Sequence, residues 1–346
     1  MSKRGFTLIE LITSTAIMIV AIAATCMMLI EGQRFTRNSE EIINSNEGSR
    51  VAGEFIVSAL RIAGMGAAAG VWINNAGIPR LISPIFGTDN ISTEGFTDDI
   101  WMLIPDRRAF QDNNCQSGSG AAVSVVTAGI GPLNVSCSQS LLPALGPTPA
   151  MLLVTNFTGP AVALTLPAVT TPSDGTVIGL LGYNEAAISG FPPRPFQVGD
   201  LVVGLSAVHF FVHRDSTGSH LYREMGVLTG ASPPSFVANT VSRILLQRNI
   251  EDLQIAFGTD PTNANLPDQY VYSNGFPDAA GLPVRAVRVT VVATHDRLMH
   301  KADNSLILTS QPLSIENHVV TAPMDALRRS VYTRRVELSN LNTGSL

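Results

Sequence analysis

Six histidines, at 209, 213, 220, 295, 300 and 318, are the side chains in this chain best suited to metal binding or acid–base work. His209 and His213 stand four apart, the spacing at which a helix chelates one ion. The segment around them, Val208-His209-Phe210-Phe211-Val212-His213, is β-branched and aromatic and reads as a strand. Positions four apart in a strand share a face but lie about 13 Å from each other, too far to grip a single ion. No H-E-x-x-H, G-x-S-x-G or phosphate-loop pattern occurs. Gly64-Met65-Gly66 has part of a dinucleotide fingerprint, but it ends a helical pattern instead of opening one. The chain is therefore read as a protein that is not an enzyme.

Two other clusters carry weaker chemistry. In the run Asp260-Pro261-Thr262-Asn263-Ala264-Asn265-Leu266-Pro267-Asp268, the oxygens of Asp260, Asn263, Asn265 and Asp268 could surround a hard cation such as Ca²⁺. The same run lacks a turn glycine and has only two carboxylates, so an ordinary connection between strands accounts for its Asp, Asn and Pro equally well. Apart from Ca²⁺ at this loop, no cofactor is expected. Of the three cysteines, Cys26 lies in an apolar run, and Cys115 and Cys137 flank a Gly/Ser-rich stretch without zinc-site spacing. If this part of the chain is exported, Cys115–Cys137 is the disulfide candidate, closing a loop of about 20 residues worth about 3 kcal/mol. Two unrelated thiols are the alternative.

The most unusual carboxylate is Glu10. It stands near the start of an otherwise uncharged run from Phe6 to Ile30, about 37 Å of helix and enough to cross a bilayer core. Lys3 and Arg4 precede the run and Glu31 follows it, which puts the N-terminus in the cytoplasm and the bulk outside. The apolar run is too long for a removable secretory signal, and the change in character at Arg4-Gly5-Phe6 comes before it. A carboxylate at membrane depth costs about 3 kcal/mol unless paired or raised to the interface. Snorkelling to the interface is one reading of Glu10. The other is a cut between Gly5 and Phe6, which creates an α-amine to pair with it.

The string Arg4-Gly5-Phe6-Thr7-Leu8-Ile9-Glu10-Leu11 resembles the processing site of type IV prepilins and of type II secretion pseudopilins. The resemblance implies cleavage between Gly5 and Phe6 by a prepilin peptidase and N-methyltransferase, then methylation of Phe6. It also implies that Thr7 and Glu10 serve assembly, with Glu10 pairing to the amine of an adjacent subunit.

These residues must be held by a scaffold, and the pattern outlines one. Apolar residues at Phe35, Ile42, Ile43, Val51, Phe55, Ile56, Ala59, Leu60 and Ala63 extend the helix past the membrane, with Arg34, Arg37, Glu40, Glu41, Asn44 and Glu47 on the other face. Gly32, Gly48 and Gly53 each weaken that helix by about 1 kcal/mol, so bending or melting is expected there. Gly64 and Gly66 are stop signals. Short β-like runs follow without intervening helices, which predicts an antiparallel sheet. They fall at 100–104, 121–127, 151–155, 162–166, 177–181, 201–205, 208–212, 244–246, 253–257, 285–294 and 331–338.

A second resemblance is to PilW-like minor pilins. It rests on Ile250-Glu251-Asp252-Leu253-Gln254-Ile255-Ala256-Phe257-Gly258-Thr259-Asp260, on the strand Val284–Val291, and on the close Tyr332–Leu341, where Ser339 stands in place of the family's Arg. It implies an α+β, pilin-like fold: a long N-terminal helix, transmembrane in its first half, packed on a C-terminal antiparallel β domain. The expected segments are a leader (1–5), a membrane half-helix (6–30), an amphipathic half (31–66), a β-rich insertion or subdomain (67–195) and the β domain (196–346). The role implied is a type IV pilus minor pilin that primes assembly, with a type II secretion pseudopilin or a tip adhesin or DNA-binding minor pilin as alternatives. Implied partners are other minor pilins, the major pilin and the inner-membrane assembly platform. The chain's formal charge of −5 favours no general attraction to nucleic acid, and none is expected to bind specifically.

Overall fold

The computed structural model describes residues 7–67, 70–75, 78–91, 97–105, 122–125, 133–136, 150–156, 160–166, 177–178, 197–216, 218–229, 235–260, 271–273, 284–295, 327 and 329–338. One helix, α1 (Leu8–Ile62), precedes all the strands. The strands are β1 (Val71–Asn75), β2 (Ile78–Ile82), β3 (Ile85–Ile91), β4 (Thr97–Pro105), β5 (Ala122–Val125), β6 (Leu133–Ser136), β7 (Ala150–Thr155), β8 (Ala161–Leu166) and β9 (Val177–Ile178). They continue with β10 (Leu201–Asp215), β11 (Gly218–Thr229), β12 (Ser235–Arg248), β13 (Ile250–Thr259), β14 (Val271–Ser273), β15 (Val284–Thr294) and β16 (Arg329–Glu337).

Among the described residues the strands make two sheets. The larger has twelve strands, β1 to β12, and the smaller has the order β14-β13-β15-β16. β10 is the spine of the larger sheet. Its first five residues pair with β7, and its later part pairs with β4 on one side and β11 on the other. The runs 201–205 and 208–212, read as two strands, are thus one: Ser206 and Ala207 continue the ladder without a turn. One pair departs from the antiparallel expectation, since β1 runs parallel to β8. Segments 67–195 and 196–346 both contribute strands to this sheet.

The chain leaves the larger sheet for the smaller at Asn249, whose φ of 59° suits a residue able to occupy the left-handed region. A second link is a side chain. Asp98 of β4 is buried and accepts the backbone N–H of Ile255 on β13 at 2.7 Å. This bond ties β4 of the larger sheet to β13 of the smaller.

α1 is continuous through Gly32, Gly48 and Gly53, so the helix does not melt at these glycines. The reason at two of the three is packing. A side chain at Gly53 would overlap the ring of Tyr332, and one at Gly48 would crowd Gln247. The buried stripe runs Ser45, Gly48, Ser49, Ala52, Gly53, Ile56, Val57, Leu60, three and four apart, with small residues where the helix comes closest to β16 and β15. Phe35, Ile42, Ile43 and Phe55, expected in that stripe, are exposed. Phe35, Ile42 and Ile43 precede Ser45, the first buried residue of the helix, and Phe55 falls outside the buried stripe. Ser49 meets Ser330 at 3.0 Å, Ser330 donates to Asn46 Oδ1 at 2.6 Å, and Tyr332 donates to Glu54 at 2.7 Å. Gly64 and Gly66 adopt positive φ and stop the helix, and Gly64 N–H bonds the Leu103 carbonyl of β4.

Gly53→Ala should therefore lower stability by about 1–3 kcal/mol through overpacking, although alanine is the better helix former. Thermal unfolding of the variant, alone and with Tyr332→Ala, checks this. The second change should remove most of the penalty; a Gly53→Ala chain as stable as the parent contradicts the close approach.

Candidate assembly segment

From Leu8 to Asn38 every residue of α1 is exposed, about 46 Å of helix, before Glu41 comes within 3.9 Å of His295 of the β domain. Its first part is long and apolar enough to cross a membrane. Leu8, Ile9, Ile17, Met18, Ile19, Val20, Met27 and Met28 are among the exposed apolar side chains there. An apolar surface this large is stable only against lipid or another apolar helix.

Glu10 is the carboxylate of its first turn, and the sequence places it there for a local reason. Thr7 is the N-cap, with extended backbone, and Glu10 is the third helical residue, so the two form a capping box. Thr7 N–H donates to Glu10 Oε2 at 3.0 Å, the Thr7 hydroxyl donates to the same oxygen at 2.9 Å, and Glu10 N–H donates back to that hydroxyl at 3.4 Å. Glu10 Oε1 makes no bond within this box and faces outward on an exposed helix. Thr7 and Glu10 are thus brought together. Gly5 and Phe6 lie outside the described residues.

The remaining candidates divide in the same way. Cys115, Cys137, Asn263, Asn265 and Asp268 lie outside the described residues. Asp260 is described: it is fully buried at the end of β13. Among the described residues no three His, Cys, Asp or Glu side chains are placed to hold a metal ion. The family-like motif turns out to join strands. Glu251 takes a two-pronged ion pair from Arg329 of β16, with Nε–Oε2 2.5 Å and Nη2–Oε1 2.8 Å, and Asp252 accepts from the Gln254 amide at 2.9 Å.

One cluster was not anticipated. His209 does sit on a strand, and it does not work with His213. Its Nε2 lies 2.8 Å from Asp99 Oδ2 and its Nδ1 3.0 Å from Glu224 Oε1. Asp99 also accepts the Thr88 N–H, and Glu224 Oε2 accepts from Arg243 Nε at 3.0 Å. The carboxylates are 8% and 3% exposed. Trp101 stacks on one side of the imidazole with centroids 4.0 Å apart, and Phe211 on the other at 4.7 Å. Burial opposes a charge on the imidazole, but the hydrogen bonds to Asp99 and then Glu224 outweigh it, and the His209 pKa is raised. For Glu224 burial opposes ionisation, while the bonds from His209 and Arg243 prevail and lower its pKa. With both ring nitrogens facing carboxylates, the imidazolium has no free nitrogen for acid–base or metal chemistry. Register explains the cluster: His209 stands opposite Trp101 on β4 and opposite Glu224 on β11. The partners come from strands 110 and 15 residues away, so only the pairing of β10 with both β4 and β11 reveals them.

Comparison with known proteins bears on the C-terminal part of the chain. No curated protein sequence matches the chain. Among solved structures, a type IV-like pilin from Thermus thermophilus matches at 12% identity and a TM-score of 0.23, covering 56% of this chain and 85% of its own. The family model of the Type IV pilus-assembly protein W matches residues 209–340, from within β10 through β16, and over that span the chain is PilW-like.

Proposed function

We propose that this chain is a minor pilin of a type IV pilus that acts in pilus assembly and priming, at the tip of the fibre. A prepilin peptidase cuts between Gly5 and Phe6 on the cytoplasmic side of the inner membrane, and Phe6 is N-methylated. The apolar half of α1 anchors the subunit while the β domain stands in the periplasm, and the helix then moves from lipid into the fibre. There Glu10 receives the α-amine of a neighbouring subunit, and the β domain meets other minor pilins.

The observation that carries this reading is the bare helix. Everything from Leu8 to Asn38 is exposed, apolar in its first part, and bears the Glu10 carboxylate in its first turn. The PilW-like span from 209 to 340 supports it independently. In cells making type IV pili, the chain should be recovered in the sheared-fibre fraction together with other pilin subunits. A chain confined to membranes while fibres form normally without it contradicts the proposal.

A further inference from the structure

β16 ends the smaller sheet, whose order is β14-β13-β15-β16, so one of its edges is open among the described residues. All nine of its residues, Arg329–Glu337, pair with β15 in unbroken register. Leu338 N–H bonds the Arg285 carbonyl directly opposite at 2.9 Å, which sets the alternation of the ladder. Even-numbered residues from Ser330 to Val336 therefore turn their backbone groups toward β15, and odd-numbered ones turn theirs outward. The outward groups of Val331 and Thr333 meet no backbone partner among the described residues, and both residues are exposed. The α1 seam holds the strand extended from one face, through Ser330 on Ser49 and Tyr332 on Glu54. A strand kept apart from other chains is short, bulged or interrupted by proline, and β16 is none of these.

Charge decides what this edge accepts. β15 and β16 carry five arginines and one glutamate, a formal +4, in a chain of net −5. Glu251 and Glu54 take Arg329 and Arg334, which leaves +2. Arg334 and Arg335 are adjacent and so lie on opposite faces of the strand, with side chains 48% and 36% exposed. Their contacts, to Glu54 at 3.4 Å and Glu337 at 3.2 Å, are exposed ion pairs of the kind that exchange readily. A strand laid along β16 sets one residue beside each arginine, where a carboxylate is favoured and a like charge disfavoured. That excludes the β16 edge of a second copy. The other edge strands among the described residues, β2, β3, β9, β12 and β14, hold one acidic residue between them, Asp89, so none of them supplies adjacent carboxylates.

We propose that the open edge of β16 receives an extended acidic segment of a different subunit as an added strand, with adjacent carboxylates beside Arg334 and Arg335. Such a partner rests on the reading of the chain as one subunit among others, but the test uses no fibre, so its failure leaves recovery in fibres untouched. A labelled peptide, acetyl-Thr-Val-Thr-Glu-Glu-Thr-Val-Thr-amide, should bind the full chain in detergent saturably by fluorescence anisotropy, and salt should weaken it. The same peptide with glutamines in place of both glutamates should bind about tenfold more weakly. Arg334→Glu/Arg335→Glu should weaken the acidic peptide by about tenfold or more and take a peptide with two lysines in its place. Val331→Pro removes an outward N–H and no ladder bond, so it should abolish binding while the unfolding temperature is unchanged. That variant and the glutamine peptide keep the test readable even if the double reversal folds poorly. A parent chain that ignores the acidic peptide, equal binding of the glutamine peptide, full binding by Val331→Pro, or a folded reversed chain that refuses the lysine peptide would each overturn the inference. So would displacement of the peptide by a single-stranded oligonucleotide or by a second copy of the chain.

Discussion

Glu10→Gln is expected to reduce recovery of the chain in sheared fibres about a hundredfold while leaving its amount in the membrane unchanged. In the proposed fibre the neighbour's α-amine sits among apolar helices, where a cation without its partner costs about 3–5 kcal/mol. That range corresponds to about two orders of magnitude or more in an incorporation constant. Glutamine retains an oxygen to accept from Thr7, so the cap that starts α1 survives. The substitution therefore isolates charge from capping. Thr7→Ala makes the opposite cut, and losing that cap should cost only about 1 kcal/mol. If Glu10→Gln enters fibres as the parent does, Glu10 is an interfacial carboxylate without a docking role.

The second large effect concerns stability. His209→Leu should destabilise the β domain by about 3–5 kcal/mol, because Asp99 and Glu224 would face each other in a buried site without the intervening cation. Thermal unfolding should shift down by about 10 °C. Adding Asp99→Asn and Glu224→Gln to His209→Leu should recover much of the loss, since the penalty arises from uncompensated charge and not from lost bonds alone.

The pH dependence has a definite sign. The folded-state pKa of His209 is raised above its ordinary 6.5, so its contribution is complete below 6.5 and disappears as pH climbs through the raised value. Glu224 is lowered from 4.5, so its contribution is complete above 4.5 and disappears as pH falls through the lowered value. The stability gap between parent and His209→Leu should therefore be widest between pH 4.5 and 6.5 and narrow on both sides. A gap that does not vary with pH, or a His209→Leu protein as stable as the parent, contradicts the charged network.

Different parts of this molecule were visible in the sequence for different physical reasons. The helix was legible because period and length are local: its start at Thr7 and its stop at Gly64 each depend on a few adjacent residues. Its packing seam was legible only in part: Ile56, Ala59, Leu60 and Ala63 of the expected stripe are buried. Large apolar residues at 35, 42, 43 and 55 suggested a stripe, yet the contact is made by Ser45, Gly48, Ser49, Ala52 and Gly53, whose value lies in the Tyr332 and Gln247 side chains they leave room for. Strands with strong β-branched runs, such as β4, β7, β13 and β15, were found within a few residues. Strands β11 and β12 were hidden or shortened because bulges and polar residues interrupt their alternation. The charged cluster could not be read from spacing at all. Asp99, His209, Glu224 and Arg243 belong to four strands and meet only through sheet register.

The central claim is that the chain acquires, by processing, the cation that answers Glu10. Mass spectrometry of the N-terminal peptide, on chain recovered from fibres, tests it directly. The account predicts a peptide that begins at Phe6 and carries an added N-methyl group, with residues 1–5 absent. Fibre-borne chain still beginning at Met1, or beginning at Phe6 on a blocked amine that cannot be charged, would contradict it.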